Sequence, residues 1–307
     1  MSKPIAVIIG SSGQDGKFLT DKLFGLGYTV VGITRDTIDI TNANEVNELI
    51  TNTLPTEIYF LASYHHSSEE VLGNEGELLR KSIDIQFIST VNFLDAIAIH
   101  SPTSRFFYAS SRLVFSKQGN MQNEGTELRP ECAYGISKVA GMNACRYYRM
   151  KKDVFASTGI LYNHESSLRD KKFLSRKIIS AAARIAREGK GTLILGNLDN
   201  IIDWGYAPDY VDAMTRILKL PVPNDYIIAT GIGHSVRQFA ELAFGYYGLD
   251  YRKYVKVQSQ IMVRKNLSMI GDSSRLRNDT GWKPTVNFEE MVYLMAKAEY
   301  ETLNEKK

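Results

Sequence analysis

The sequence has few cysteines, little net charge and no long apolar run. Two cysteines, Cys132 and Cys145, in 307 residues supply neither a disulfide framework nor a metal-ligand spacing, which fits a reducing compartment. The 37 Lys and Arg against 34 Asp and Glu leave a net charge of +3, too small to argue for nucleic acid or a membrane surface as partner. No apolar run reads as the ~20 residues that a bilayer span requires. The first apolar run begins at once, with no signal-like segment before it, so a cytoplasmic location is expected. Internal repeats and low-complexity stretches are absent. What remains, 44% hydrophobic and 23% charged, is the composition of an ordinary globular protein. The length allows one large domain, or one domain with a smaller partner.

What is present starts at Ala6-Val7-Ile8-Ile9-Gly10-Ser11-Ser12-Gly13-Gln14-Asp15-Gly16. An apolar run ends in glycine, two further glycines follow at intervals of three, and apolar residues return at helical spacing at Phe18, Leu19, Leu23 and Phe24. This is a strand, a tight turn and a helix, with unpaired helix N–H groups placed to receive a pyrophosphate. A glycine-rich turn can also exist without a ligand. The second strand, Thr29 to Ile33, supplies the context that favours dinucleotide binding. Arg35 stands just beyond that strand, where the adenosine ribose lies in such folds, and favours NADP; Asp36 beside it keeps NAD open. Asp39-Ile40 follow in a short loop before a helix that runs to about Thr53. A third strand, from Glu57, ends near Leu61-Ala62, and its end should face the cofactor. The expected cofactor set is therefore Gly10, Gly13, Gln14, Asp15 and Gly16 in the turn, Arg35, Asp39 and Ile40 after the second strand, and Leu61 and Ala62 after the third. The adjacent His65 and His66 lack a third ligand at metal spacing, so no metal site is expected, and a loop over the nicotinamide or sugar is the reading.

Leu78 to Ile99 carries a helical pattern, and Arg105 to Ser111 is a further buried strand ending in two serines. Alternating strands and helices predict an α/β fold: a Rossmann-type doubly wound parallel sheet. Tyr134 and Lys138 are four apart and share a helix face. An ammonium near a phenol favours the phenolate, which can take a proton from a substrate hydroxyl as hydride leaves the same carbon. Ser111 can hydrogen-bond the same oxygen. Tyr134 and Lys138 also belong to the expected cofactor contacts, at the nicotinamide end.

With these motifs the chain resembles the extended short-chain dehydrogenase/reductase family, and the resemblance implies Ser111, Tyr134 and Lys138 as a catalytic triad acting on a nucleotide sugar. Gly13-Gln14-Asp15-Gly16, Asn163-His164-Glu165-Ser166, Phe173-Leu174-Ser175-Arg176-Lys177-Ile178, Asp203-Trp204-Gly205-Tyr206-Ala207-Pro208-Asp209 and Gly281-Trp282-Lys283-Pro284 are similar to the GDP-mannose 4,6-dehydratase branch. The likeness spans most of the chain. It implies a GDP-sugar substrate with contacts at Asn163, Leu174, Lys177 and Arg264. It also implies a smaller, mixed α/β substrate domain. The expected division is residues 1–160 for the dinucleotide, with part of 200–235 returning to it, and mainly 161–307 for the nucleotide sugar. Other basic residues between Lys171 and Glu188 read as a solvated helix face.

The chain also departs from that branch. Against the family's Ser-Thr-Ser-Glu at the strand end stand Ser110-Ser111-Arg112-Leu113, so the glutamate that serves water elimination is a leucine. Ile202 replaces an arginine, and Lys265-Asn266-Leu267 replaces Pro-Thr-Glu. The loop after Arg35 is short, which makes a homodimer through helices of the sheet domain more plausible than the family's tetramer, although a tetramer stays open. Three functions follow: hydride transfer at C4 of a GDP-hexose or related GDP-sugar without net loss of water, as a dehydrogenase, reductase or epimerase; a true dehydratase with a displaced acid/base group such as His65 or His66; or a non-catalytic dinucleotide-binding regulator.

Overall fold

A computed structural model describes residues 3–64, 74–116, 121–258 and 269–305. The continuous apolar run at the start forms β1 (Ile5–Ile9), buried along nearly its whole length, as a strand covered on both faces must be. It is followed by α1 (Gln14–Gly25), β2 (Thr29–Ile33), α2 (Ala43–Thr53), β3 (Glu57–Phe60), α3 (Glu75–Ile83), α4 (Ser89–His100), β4 (Arg105–Ser111), α5 (Ala133–Lys151) and β5 (Phe155–Leu161). The second half adds β6 (Asn163–Glu165), α6 (Leu174–Glu188), β7 (Leu193–Leu195), β8 (Ile201–Tyr206), α7 (Ala207–Ile217), β9 (Asp225–Ile228), β10 (Gly233–Ser235), α8 (Val236–Tyr246), β11 (Val255–Val257), α9 (Ser274–Thr280) and α10 (Phe288–Asn304). Local chemistry sets several of these ends. Asn42 caps α2 through Asn44 N–H, and Ser235 and Gln238 form a reciprocal capping box at the start of α8.

Six strands make one parallel sheet in the order β2-β1-β3-β4-β5-β9. The order reverses direction between β1 and β3. That is the switch point at which open α/β sheets leave a crevice beyond their strand ends. Smaller sheets, β10-β8-β6 and β11-β7, stand apart from it. Two apolar cores result. One holds the parallel sheet and its helices and takes in Tyr210 to Ala229 and Trp282; the other gathers α6, α8 and α10 around Trp204.

Two sequence expectations need correction. The helix from Glu75 to His100 runs 26 residues and is long and apolar enough to cross a membrane, although no such run was expected. It belongs to the sheet's helical layer. Phe93, Leu94, Ala96 and Ile97 are fully buried, and Tyr148 on α5 donates to Asp95 at 2.5 Å. The basic residues of α6 are also not all solvated. Arg176 is buried and its Nη2 lies 2.8 Å from Glu299 on α10, a pairing 123 positions away in sequence.

Asp209, on the first turn of α7, ties the second half together. Its buried carboxylate accepts from Thr285 N (3.0 Å), Val286 N (3.2 Å) and the Thr285 hydroxyl, while its carbonyl accepts from Trp282 Nε1 (2.9 Å). Asp209→Ala takes the acceptor from the Thr285 N–H, the Val286 N–H and the Thr285 hydroxyl, while the carbonyl that serves Trp282 stays. It is expected to cost about 1–3 kcal/mol of stability, read from urea unfolding midpoints at unchanged m-value.

Candidate active site

The crevice at the switch point is built from backbone. Gly10 adopts φ +91°, and a Cβ there would stand 3.0 Å from Ala62 N and 3.2 Å from Leu61 C, so glycine lets the end of β1 touch the end of β3. A Cβ on Gly16 would lie 2.4 Å from Gly10 O and 2.6 Å from Ser11 Cα, which closes α1 against the turn. Gly13 is the N-cap of α1 and offers no side-chain acceptor, so the first N–H groups of that helix have no side-chain cap. Three glycines, an uncapped helix start and the adjoining Leu61-Ala62 thus form a cradle that fits a dinucleotide pyrophosphate. Arg35 and Asp36 are both exposed in the turn after β2. The Asp39 carboxylate turns onto Thr41, accepting from its N–H at 2.9 Å and its hydroxyl at 2.7 Å, and these bonds hold its pKa below the ordinary value. Ile40 O accepts from Asn92 Nδ2 at 3.2 Å.

Gln14 and Asp15 face inward across the turn to the Asn163–Ser166 run. His164 Nε2 lies 2.9 Å from Asp15 Oδ2, and His164 Nδ1 lies 2.7 Å from Tyr162 O. Gln14 Nε2 donates to His164 O at 3.2 Å, and Ser166 donates to Gln14 Oε1 at 2.7 Å. Both imidazole nitrogens thus face acceptors. Burial acts to lower the His164 pKa, but the Asp15 charge and hydrogen bond outweigh it and the net shift is upward from 6.5. For Asp15, burial acts upward and His164 reverses it, for a net fall below 3.8. The histidine therefore adds stability in full below its unfolded value of 6.5, and loses it as pH rises through the raised folded value. The aspartate adds stability above 3.8 and loses it as pH falls through its lowered value. The stability gap between the native chain and His164→Gln is expected to shrink as pH rises from about 6 to about 9. Urea midpoints across that range check it; a constant gap would show that the charge pair contributes nothing.

Ser111, Tyr134 and Lys138 come together beyond the end of β4, where Ser111 ends the strand and α5 carries the other two. All three line one cleft with Asp15, Leu61 and Leu113. Lys138 is 1% exposed; its Nζ donates to Ala109 O at 2.6 Å and sits 5.5 Å from the Tyr134 ring centroid. The phenolate expected from sequence is not what this site favours by itself. Burial raises the Tyr134 pKa to about 12, against the opposing pull of Arg169 and of hydrogen bonds from Ser63 and Ser111. Burial likewise lowers Lys138 to about 7. Desolvation is the largest cause for both groups, and the Lys138 ammonium donates to a carbonyl rather than to the phenol oxygen.

A brace behind the triad could not be read from the sequence. Between α3 and α4 the helix widens into a π turn, Asp84–Ile88. Within it Gln86 O accepts from Tyr108 at 2.9 Å, and Gln86 Nε2 donates to Ser137, whose hydroxyl donates to Tyr134 O at 2.9 Å. Cys132 caps α5, its Sγ accepting from Gly135 N at 3.4 Å. Arg169 also lines the cleft, its guanidinium 3.8 Å from the Phe173 ring centroid and its Nε 3.4 Å from Glu165.

Of the residues expected at the nucleotide sugar, Asn163 and Leu174 line the cleft. Lys177 is half-buried one turn along α6 and does not line it. Arg264 lies outside the described residues, as do His65, His66 and Lys265-Asn266-Leu267. Leu113 and Ile202 both face the cleft, apolar where the resembling branch has glutamate and arginine. Among the described residues no group of three or more His, Cys, Asp or Glu is placed to hold a metal.

A doubly wound sheet with a Ser-Tyr-Lys cleft at its switch point is the architecture of an extended short-chain dehydrogenase/reductase. The family model described as GDP-mannose 4,6 dehydratase matches residues 36–295, and the chain belongs to that family. It is 32% identical to "GDP-mannose 4,6 dehydratase 2" of Arabidopsis thaliana, over 99% of this chain and 89% of that one. Among solved structures it is similar to RMD from Pseudomonas aeruginosa complexed with NADPH, with TM-score 0.84, 18% identity, and coverage of 98% of this chain and 100% of that one. It is also similar to dTDP-glucose 4,6-dehydratase from Bacillus anthracis in complex with NAD, with TM-score 0.83, 18% identity and 98% coverage of both chains.

Proposed function

We propose that this chain is a nicotinamide-dinucleotide-dependent enzyme that moves hydride at C4 of a GDP-sugar without net loss of water. One observation carries the reading: Leu113, which has no proton to give or take, lines the same cleft as an intact Ser111, Tyr134 and Lys138. Family membership supports the GDP-sugar, and the cradle of Gly10, Gly13 and Gly16 fits the dinucleotide. When bound, that cofactor supplies the hydride acceptor or donor. Tyr134 exchanges the proton of the C4 hydroxyl, Ser111 holds the same oxygen, and Lys138 fixes the field at the phenol from its bond to Ala109 O. Asn163 and Leu174 orient the nucleotide sugar, and we assign Lys177 and Arg264 to the same substrate on the family pattern.

NADP is the preferred cofactor in this reading, with Arg35 receiving the 2′-phosphate. NAD remains the alternative through Asp36. Reduction of each cofactor in the presence of GDP-mannose tests both parts. Arg35→Ala is expected to lower kcat/KM for NADP about 10- to 100-fold and to leave NAD nearly unchanged. A loss shared equally by both cofactors would remove Arg35 from the ribose.

A second reading, the dehydratase, is favoured by Glu131, a carboxylate that lines the cleft three residues before Tyr134. In that case Glu131→Gln abolishes water loss from GDP-mannose while hydride transfer persists. We also infer a homodimer. Ile99 on α4 and Tyr147 and Met150 on α5 are 69%, 52% and 73% exposed, on neighbouring helices of the sheet domain. Sedimentation velocity reads the assembly.

A further inference from the structure

Arg112 is a cation in the cleft that meets no carboxylate at ion-pair distance among the described residues. It follows Ser111 directly, in the short turn Arg112–Val114, and lines the cleft beside Leu113. Its Nε donates to Asn163 Oδ1 at 2.7 Å and its Nη1 to Met269 Sδ at 3.0 Å, so the guanidinium is held in place by neutral partners. No carboxylate among the described residues lies within ion-pair distance of it. Asp203 reaches it only through space, and that carboxylate already accepts from Thr230 N (3.0 Å), Gly231 N (3.0 Å) and Gly271 N (3.2 Å). Burial lowers the Arg112 pKa, with Tyr162 and Asp203 acting against it, yet a guanidinium stays charged. A charge partly withdrawn from water favours a partner, and the remaining planar donors of the half-buried Arg112 match a carboxylate or phosphate.

We propose that the sugar on this site's substrate carries a carboxylate, which Arg112 receives beside the reacting carbon. The inference rests on the GDP-sugar reading above. Position favours a group on the sugar over the substrate's own diphosphate. Arg112 adjoins Ser111 and is anchored by Asn163 at the start of β6, whereas the reading above assigns the nucleotide to α6, whose Leu174 lines the cleft. The neutral Leu113 alongside puts no negative charge in competition with the incoming group.

A matched pair of ligands tests this: GDP-mannose, and GDP-mannuronate, which differs from it only in a carboxylate at C6, with GDP alone as third probe. Each is titrated calorimetrically into the full chain and into Arg112→Met and Arg112→Lys, with thermal melts confirming that both variants fold. The native chain is expected to bind the uronate at least about tenfold more tightly than GDP-mannose, with Arg112→Met losing that ratio and Arg112→Lys keeping part of it. Equal binding of the two sugars by the native chain, or an unchanged ratio in Arg112→Met, would overturn the proposal and leave the GDP-sugar reading standing. An equal loss for GDP alone in Arg112→Met would place the diphosphate on Arg112 and overturn it as well. If neither sugar nor GDP binds the native chain, the GDP-sugar reading fails and this proposal with it.

Discussion

Tyr134→Phe is expected to lower the rate of hydride transfer by roughly 10²- to 10⁴-fold, the usual worth of a positioned general acid or base. The substitution removes one oxygen and keeps the ring over which Lys138 sits. Dinucleotide and nucleotide-sugar affinities should therefore change little, and the loss should appear in kcat rather than KM. The phenol stands high, at about 12, because the site is dry, and so Tyr134 is a neutral acid in the free protein. Lys138, lowered to about 7, is the group that titrates near neutrality. The pH–rate profile of the native chain should bend near that value, and the bend should vanish in Lys138→Met. Stopped-flow absorbance of the reduced nicotinamide, taken with a melt of each variant, checks both points. A Tyr134→Phe protein with native rates would show that this hydroxyl moves no proton. A native chain that binds dinucleotide and turns over nothing would instead be a binder or regulator.

Leu113→Glu has the second large expected effect. It is expected to introduce loss of water from a GDP-hexose, because the position that holds glutamate in the resembling branch then regains a proton carrier. The gain should be partial in the single variant. Arg112 lines the same cleft, and a guanidinium nearby holds a new carboxylate ionised, which weakens it as an acid. The double variant Arg112→Ser, Leu113→Glu should eliminate water faster than the single one, by up to the ~10²- to 10⁴-fold scale of general acid–base catalysis. Mass spectrometry of the nucleotide-sugar pool measures both. If neither variant eliminates water, position 113 is not where this cleft would hold its acid.

Local pattern carried much of the fold into view. The glycine spacing at 10, 13 and 16, the apolar strand ends and the Tyr134–Lys138 interval are short-range signals, and each stands on the element its period implies. Even the cap at Ser235 follows from residues three apart. The features that escaped are contacts between distant stretches. His164 meets Asp15 across 149 positions, and Arg112 meets Asn163 across 51. No periodicity encodes such pairs. Arg176 looked like one more charge on a basic helix, and only the docking of α10 buries it against Glu299. The π turn at Gln86 was hidden because a single widened turn leaves the apolar pattern of its helix almost unchanged. The neutral phenol of the cofactor-free site is hidden for a related reason. Spacing places a lysine beside a phenol, but it says nothing of how dry the pair is or where the ammonium spends its hydrogen bonds.

The most direct test of the central claim is a mass spectrum of GDP-mannose after incubation with the native chain and NADP or NAD. The account expects no species lighter by one water; oxidation at C4 would show as a product lighter by two hydrogens, formed in step with reduced cofactor. A product that has lost water, formed without net reduction of cofactor, would contradict the reading of Leu113 and make the chain a dehydratase.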